Sequence, residues 1–304
     1  MKKQRLILQL GEVTLAYSLY QKTLKTDLLS VSAKENQPPC KRIMLLHGAG
    51  VAGELTWTFI SNYLTQWDEI LVPDLLGMGD SYFESSDTTP FTISDICQSL
   101  FCLLRHLNWH QLDLVGYSLG GLVALELNKQ SRIGFNLAHE LDLTIDKLCL
   151  IEPALFSDSS LQSALNFRQY FDPIAHNICS QPTSAEPFLQ FLDLVSPNRM
   201  RLEKTDQLAI KRLQVRPYGF ANALLAVSGY AKNLDQGGLN QLIAAIPEGV
   251  GIVGGLSAEG LMTAQNSIKR IQPAWSIEVL PNVDHSLVYV RPKQVARLMN
   301  KYLQ

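Results

Sequence analysis

Long apolar runs, excess charge of either sign, paired cysteines and repeats are scarce or missing in this chain, and each shortage excludes something. No apolar run approaches the roughly 20 residues that a membrane helix needs, so the sequence predicts no membrane span. The formal net charge is −2 over 304 residues. That leaves no basic field to recruit nucleic acid or an anionic membrane surface. The five cysteines are Cys40, Cys97, Cys102, Cys149 and Cys179, an odd count with no CxxC spacing. Cys149 sits inside an apolar stretch, and no histidine motif points at any of the five. Reduced thiols in a cytoplasmic protein fit this better than a disulfide framework, with buried packing as their role. There is no internal repeat and no low-complexity tract.

What is present is ordinary globular composition, 46% hydrophobic and 18% charged. It suits one large α/β domain with an insertion, or two domains. The opening "MKKQRLILQLGEVTLAY" starts positive, but Gln9, Gly11 and Glu12 break its apolar run and no small-residue cleavage site follows. It reads as a first strand more readily than as a signal peptide. "VTLAYSLY" alternates apolar and polar residues, as a half-exposed antiparallel strand would. Then come "RIMLL" (42–46), "EILV" (69–72), "LDLV" (112–115), "KLCLI" (147–151), "GVGIV" (249–253) and "SIEVL" (276–280). Such near-continuous apolar runs suit a parallel sheet covered on both faces.

Helical patterns alternate with these strands. "TISDICQSLFCLLRHL" puts Ile93, Ile96, Cys97, Leu100, Phe101 and Leu104 on one stripe and opens with Thr92 and Asp95 at capping-box spacing. "PKQVARLMNKYL" aligns Val295, Leu298, Met299 and Tyr302 behind Pro292. The order is two strands followed by repeated βα units, which predicts an α/β fold with a mostly parallel central sheet flanked by helices. Residues 155–245 break the pattern with helical stretches, aromatics and Pro turns. They are expected to form a helical cap inserted between the fourth and fifth parallel strands, leaving 1–154 and 246–304 as the core. The polar stretch "TDLLSVSAKENQPPCK" (26–41) is expected to be a surface loop.

In a parallel sheet, function collects at the carboxyl ends of the strands. After "RIMLL" comes His47-Gly48-Ala49-Gly50, and after "EILV" comes Pro73-Asp74 with Asp80-Ser81 close behind. After "LDLV" comes Gly116-Tyr117-Ser118-Leu119-Gly120-Gly121. Glu152-Pro153, Gly254-Gly255-Leu256-Ser257 and Asp284-His285-Ser286 follow the last three strands. Gly at 116 and 120 gives room for a tight strand-to-helix turn that would project Ser118 above the sheet. "HGAG", "PDLLGMGDS", "GYSLGG" and the late "DHS" resemble, in content and order, the α/β-hydrolase superfamily. The resemblance covers nearly the whole chain outside the predicted cap. It implies Ser118 as nucleophile and His285 as its base. It also implies an oxyanion hole from the backbone N–H groups of Leu119 and Ala49, with His47, Asp74 and Asp80 in structural roles.

Other readings of the same residues stay open. "GAGVAG" (48–53) is also GxGxxG after a strand, with Asp74 ending the next one, which would suit a dinucleotide-dependent oxidoreductase. Against it, an antiparallel pair precedes that strand, His47 intrudes, and "GYSLGG" and "DHS" go unexplained. The triad acid is a second open point. The family's usual Asp follows the strand "GVGIV", where this chain has Ser257, which cannot ionise. Glu152, at the end of a central strand, is the expected acid, and Glu259 is the alternative. Asp284 adjoins His285, but neighbours in an extended segment point apart. Asp142 and Asp146 precede their strand and belong to its far end.

The resemblance therefore implies a serine hydrolase that cleaves a small carboxylic ester or related carbonyl compound through an acyl-enzyme. Such a mechanism calls for no metal and no organic cofactor. Asp-nucleophile relatives are disfavoured because position 118 is Ser. The expected partner is a small molecule with an apolar moiety, since aromatics from Phe156 through Phe167, Phe171 and Phe191 to Tyr230 run along the cap. The cluster Lys211, Arg212 and Arg216 is expected to be a solvated helix face, although it could receive an anion. The rival from another class is a binding protein that keeps the pocket and has lost turnover, as Ser257 would allow. Nothing in the sequence specifies an oligomeric state.

Overall fold

The computed structural model describes residues 1–22, 40–133, 140–155 and 160–304. Nearly all of the expected loop at 26–41, and Phe156, lie outside the described residues. Among these described residues, nine strands form one sheet: β1 (Lys2–Leu10), β2 (Val13–Gln21), β3 (Arg42–Leu46), β4 (Glu69–Pro73), β5 (Tyr82–Phe83), β6 (Gln111–Tyr117), β7 (Thr144–Ile151), β8 (Gly249–Gly254) and β9 (Trp275–Leu280). The strand order is β1-β2-β4-β3-β6-β7-β8-β9, with β5 beside β2. Pairing is antiparallel wherever β2 takes part and parallel from β4 through β9.

The apolar strand runs are continuous because both faces are covered. Along β3, Ile43 and Leu45 join one buried cluster, while Met44 and Leu46 join the other. The first cluster is roofed by Trp57 and Ile60 of α1 (Gly53–Ser61) and by Val295, Ala296 and Met299 of α12 (Pro292–Tyr302). The second is roofed by α2 (Ile93–His106), α3 (Leu119–Ile133) and α10 (Glu259–Ile271). The capping box on α2 forms as its sequence predicts, Thr92 Oγ1 accepting from the Asp95 N–H at 3.2 Å and the Thr92 N–H donating to Asp95 Oδ2 at 2.7 Å.

Strand β2 departs from expectation. Its alternation predicts one wet face, yet Thr14 and Ser18 are 3% and 0% exposed. The hydroxyls are covered because polar side chains meet them. Thr14 Oγ1 lies 2.7 Å from Gln9 Oε1 and 2.5 Å from Glu84 Oε1, and Ser18 Oγ bonds Glu54. A buried hydroxyl with a partner is indistinguishable in sequence from an exposed one.

Among the described residues, six helices lie between β7 and β8: α4 (Leu161–Arg168), α5 (Phe171–Ser180), α6 (Glu186–Val195), α7 (Glu203–Leu213), α8 (Pro217–Asn233) and α9 (Gln236–Ala244). Phe171, Ile178, Phe188, Phe191 and Phe220 make a separate buried cluster among them. Their other contacts dock them on the sheet domain. Ala223, Val227 and Leu242 belong to the cluster built around α2 and α3. Between α10 and α12 a short helix, α11 (Leu287–Val290), follows His285. No helix among the described residues is long and apolar enough to cross a membrane.

Candidate active site

Strands β6 and β7 are neighbours in register, Tyr117 opposite Ile151, so the residues that follow them, Ser118 and Glu152, leave the sheet side by side. Both turn with left-handed backbones, φ +53° and +45°. That conformation is costly for a residue with a Cβ, on the order of 1 kcal/mol or more, and such outliers cluster at functional sites. The elbow is held by the Ser118 N–H donating to Ile151 O at 3.0 Å and the Gly120 N–H donating to His47 O at 3.0 Å. A Cβ at Gly116 would strike the Gly120 carbonyl, and one at Gly120 would meet the carbonyls of Leu46 and His47. These two glycines are steric requirements of the turn.

His285 comes from the loop after β9 and bridges the two. Its Nε2 lies 3.1 Å from Ser118 Oγ, and its Nδ1 lies 2.6 Å from Glu152 Oε2. A carboxylate only accepts, so Nδ1 carries the proton and Nε2 is left to accept from the serine hydroxyl. Glu152 is 1% exposed, and its second oxygen accepts the Gly254 N–H at 2.7 Å. The end of β8 thus supplies a backbone donor to a carboxylate on β7. The other acidic candidates lie elsewhere. Glu259 is solvent-exposed at the first turn of α10. Asp284 turns to its own loop, Oδ1 accepting from the Ser286 N–H at 2.9 Å. Asp146 takes the Gln111 amide at the opposite ends of the strands, and Asp142 sits just before β7. The Ser257 hydroxyl is buried with no partner among the described residues.

The Leu119 N–H opens α3, where a helix leaves its first amides unpaired. Ala49 stands across from it, after β3, and both line the same cavity as Ser118. Neither amide donates to the protein among the described residues. Behind them, fully buried His47 accepts the Leu75 N–H on Nε2 at 2.8 Å while Nδ1 faces Gly48 O at 2.7 Å. Burial pushes its pKa down, Asp74 opposing, so the ring is a neutral brace between two loops. Buried Asp74 accepts from the Gly53 N–H at 2.7 Å and the Asp80 N–H at 2.8 Å and pairs with Arg5, which also reaches Asp80 at 2.7 Å. Asp74 therefore closes the "GAGVAG" turn onto its own loop.

Two cavities meet at Ser118, His285, Ala49 and Phe191. One, of about 220 Å³, runs under α4, α5 and α8 past Leu119, Phe167, Phe171, Leu224 and Val227. The other, of about 240 Å³, runs under α6 and α7 past Tyr117, Leu192, Leu208 and Tyr289. Sequence reasoning passed over Tyr117, whose hydroxyl donates to His285 O at 2.8 Å and whose ring lies 5.0 Å from the imidazole. It fixes the loop that presents the histidine. Its position inside "GYSLGG" was a signal, but its partner lies 168 residues away. The basic cluster does not act as one solvated face. Lys211 is exposed and Arg212 lines the second cavity. Arg216 pins the inserted helices to the sheet domain through Asp87 at 2.7 Å and Gly79 O at 3.0 Å.

The sequence model of the alpha/beta hydrolase family matches residues 43–298. The chain belongs to that family. Its fold recurs in an α/β-hydrolase among the carboxylesterases of Nitrososphaera gargenis, 18% identical with a TM-score of 0.70, covering 98% of this chain and 97% of that one. The enol-lactonase of Burkholderia xenovorans LB400 is 15% identical with a TM-score of 0.68, covering 98% and 99%. Among curated relatives, the magnesium-chelatase 30 kDa subunit of Rhodobacter capsulatus is 33% identical over 85 residues, 28% of this chain and 29% of that protein. An uncharacterized protein of Mycobacterium bovis is 29% identical over 109 residues, 36% of this chain and 28% of that protein. The chain thus spans under a third of the length of these curated relatives.

Proposed function

We propose that this α/β-hydrolase is a serine hydrolase of small carboxylic esters, with Ser118 as nucleophile, His285 as general base and Glu152 as the orienting acid. The observation that carries this is the unbroken line from Ser118 Oγ through both His285 nitrogens to Glu152, at 3.1 and 2.6 Å. His285 Nε2 takes the hydroxyl proton as Ser118 Oγ attacks the ester carbonyl. Glu152 stabilises the imidazolium that forms. The Leu119 and Ala49 N–H groups hold the oxyanion, and preorganised donors of this kind are worth about 3 kcal/mol each. His285 then gives its proton to the leaving alkoxide. Water, deprotonated by the same nitrogen, releases the acid and restores Ser118.

In this reading the two cavities hold the acyl and alcohol parts of the substrate, and their apolar walls favour a substrate with an apolar moiety. Residues 155–245 act as a helical cap over a core of 1–154 and 246–304. The described cysteines are all free, in keeping with a reducing, cytoplasmic setting. No cofactor enters the mechanism. The deciding experiment combines fluorophosphonate labelling with a panel of activated short-chain esters. Wild-type protein should be labelled at Ser118 and turn over the esters, and Ser118→Ala should do neither. Labelling and turnover absent from the wild type would instead make the protein a pocketed binder.

A further inference from the structure

Arg168, the last residue of α4, is 7% exposed and lines the cavity that contains Ser118. Its guanidinium lies 3.9 Å over the Phe171 ring. One edge is committed to α8, Nη2 donating to Leu224 O at 2.7 Å and to Ser228 Oγ at 3.1 Å, with Nε 3.4 Å from the same hydroxyl. Nη1 makes no protein hydrogen bond among the described residues, and no carboxylate there pairs with Arg168. Asp172 favours the cation from beyond salt-bridge distance; its Oδ2 is held by Lys232 at 2.7 Å, and its Oδ1 is buried with no hydrogen-bond partner among the described residues. Burial pulls the Arg168 pKa down to about 9, Asp172 opposing, which leaves it cationic at neutral pH.

An arginine buried with no carboxylate in direct contact costs several kcal/mol unless something completes it. Apart from Arg168 itself, Ser118, Glu152, Ser163 and His285, the residues lining this cavity are apolar, Phe167, Phe171, Leu194, Leu224 and Val227 among them. We propose that Arg168 receives a carboxylate at the far end of the substrate, so that the preferred ester carries an apolar stem ending in an anion. Nη1 supplies the free donors, and Phe171 shields the guanidinium from water. This rests on the serine-hydrolase reading. Hydrolysis of such a half-ester places the water oxygen on the acyl carbon and the proton on the leaving alcohol, releasing a dicarboxylate when the anion sits on the acyl side.

The test separates binding from turnover. In the Ser118→Ala background, calorimetry compares monomethyl glutarate with dimethyl glutarate, which differ only in the charge of one end. The half-ester should bind at least about tenfold tighter, as a buried charge pair requires, and Arg168→Met should bring the ratio near one. Arg168→Lys, which keeps charge and stem but loses the fork, should fall between. If Arg168→Met does not fold, the Lys variant and the parent ratio still decide. Equal binding of the two esters by the parent overturns the proposal. So does a preference that survives Arg168→Met, or one that collapses only in Arg212→Met, which would place the anion in the other cavity. In wild-type protein, mono-4-nitrophenyl glutarate should exceed its neutral methyl ester in kcat/KM. The anion carried on the alcohol side, as in a butanoyl ester of 4-hydroxybutanoate, shows which part of the substrate occupies this cavity. Loss of all turnover with the binding preference intact would count against the hydrolase reading alone.

Discussion

Glu152 Oε2 and His285 Nδ1 are 2.6 Å apart although 133 residues separate them in the chain. The contact exists because β7 and β9 flank β8 and all three end at the same edge of the sheet. Glu152 is the first residue past a central strand, so its backbone is fixed by the sheet.

Removing that carboxylate while keeping its shape should be costly for catalysis and cheap for folding. Glu152→Gln is expected to lower kcat by about 10³ to 10⁴, in line with the loss seen when a triad acid becomes an amide. Glu259→Gln should change kcat less than about twofold, because Glu259 faces solvent and surface charges contribute little. Steady-state kinetics on one activated ester checks both, and the reverse ranking would move the acid to Glu259.

Asp74 should matter to stability and to the shape of the turn after β3. Asp74→Asn leaves Arg5 without its buried partner and replaces one acceptor oxygen with an amide donor facing the Gly53 or Asp80 N–H. A loss of about 3 kcal/mol is expected from breaking such a pair. Urea denaturation measures it. An unchanged midpoint would show that the loops hold without the carboxylate.

Asp113 provides a pH signature. Burial raises its pKa to about 6, with the Trp67 Nε1–H bond at 2.7 Å opposing and Asp146 adding to the rise. An unfolded aspartate titrates near 3.9, so a rise to about 6 corresponds to about 3 kcal/mol. Between those values the folded state holds the proton and the unfolded state does not, so this group makes stability fall as pH rises from about 4 to 6. Asp113→Asn should therefore be more stable than wild type at pH 7.5, by up to about 3 kcal/mol, and equal to it below about pH 4. Thermal melts across that range would refute this if the two curves stayed parallel.

Phe191 stands where the two cavities meet, packed edge-on against Phe220 at 4.8 Å and Phe171 at 6.2 Å. Phe191→Leu should cost about 1 to 2 kcal/mol, less than full truncation of a buried aromatic. It should also shift the preferred ester toward longer or bulkier groups, because it opens one cavity into the other. A chain-length panel reads the shift, and an unaltered profile would mean that Phe191 is not a divider.

Much of the architecture was legible in the residues themselves. Short apolar runs between helical stripes announce a covered parallel sheet, and the glycines at 116 and 120 announce the elbow, because period and steric room are local properties. The six apolar runs became β3, β4, β6, β7, β8 and β9 with bounds shifted by at most a few residues. What distance across the fold decides was not local. Sequence order allowed Glu152 and Glu259 equally, and only the placement of β7 next to β6 sets one of them beside His285 while α10 turns the other to solvent. The wet face expected of β2 vanished because partners from distant segments cover Thr14 and Ser18. Arg168 carried no mark in the sequence at all. It became a buried cation when α5 and α8 packed around it, since burial and the absence of a contacting carboxylate among the described residues belong to the assembled fold and not to any stretch of chain.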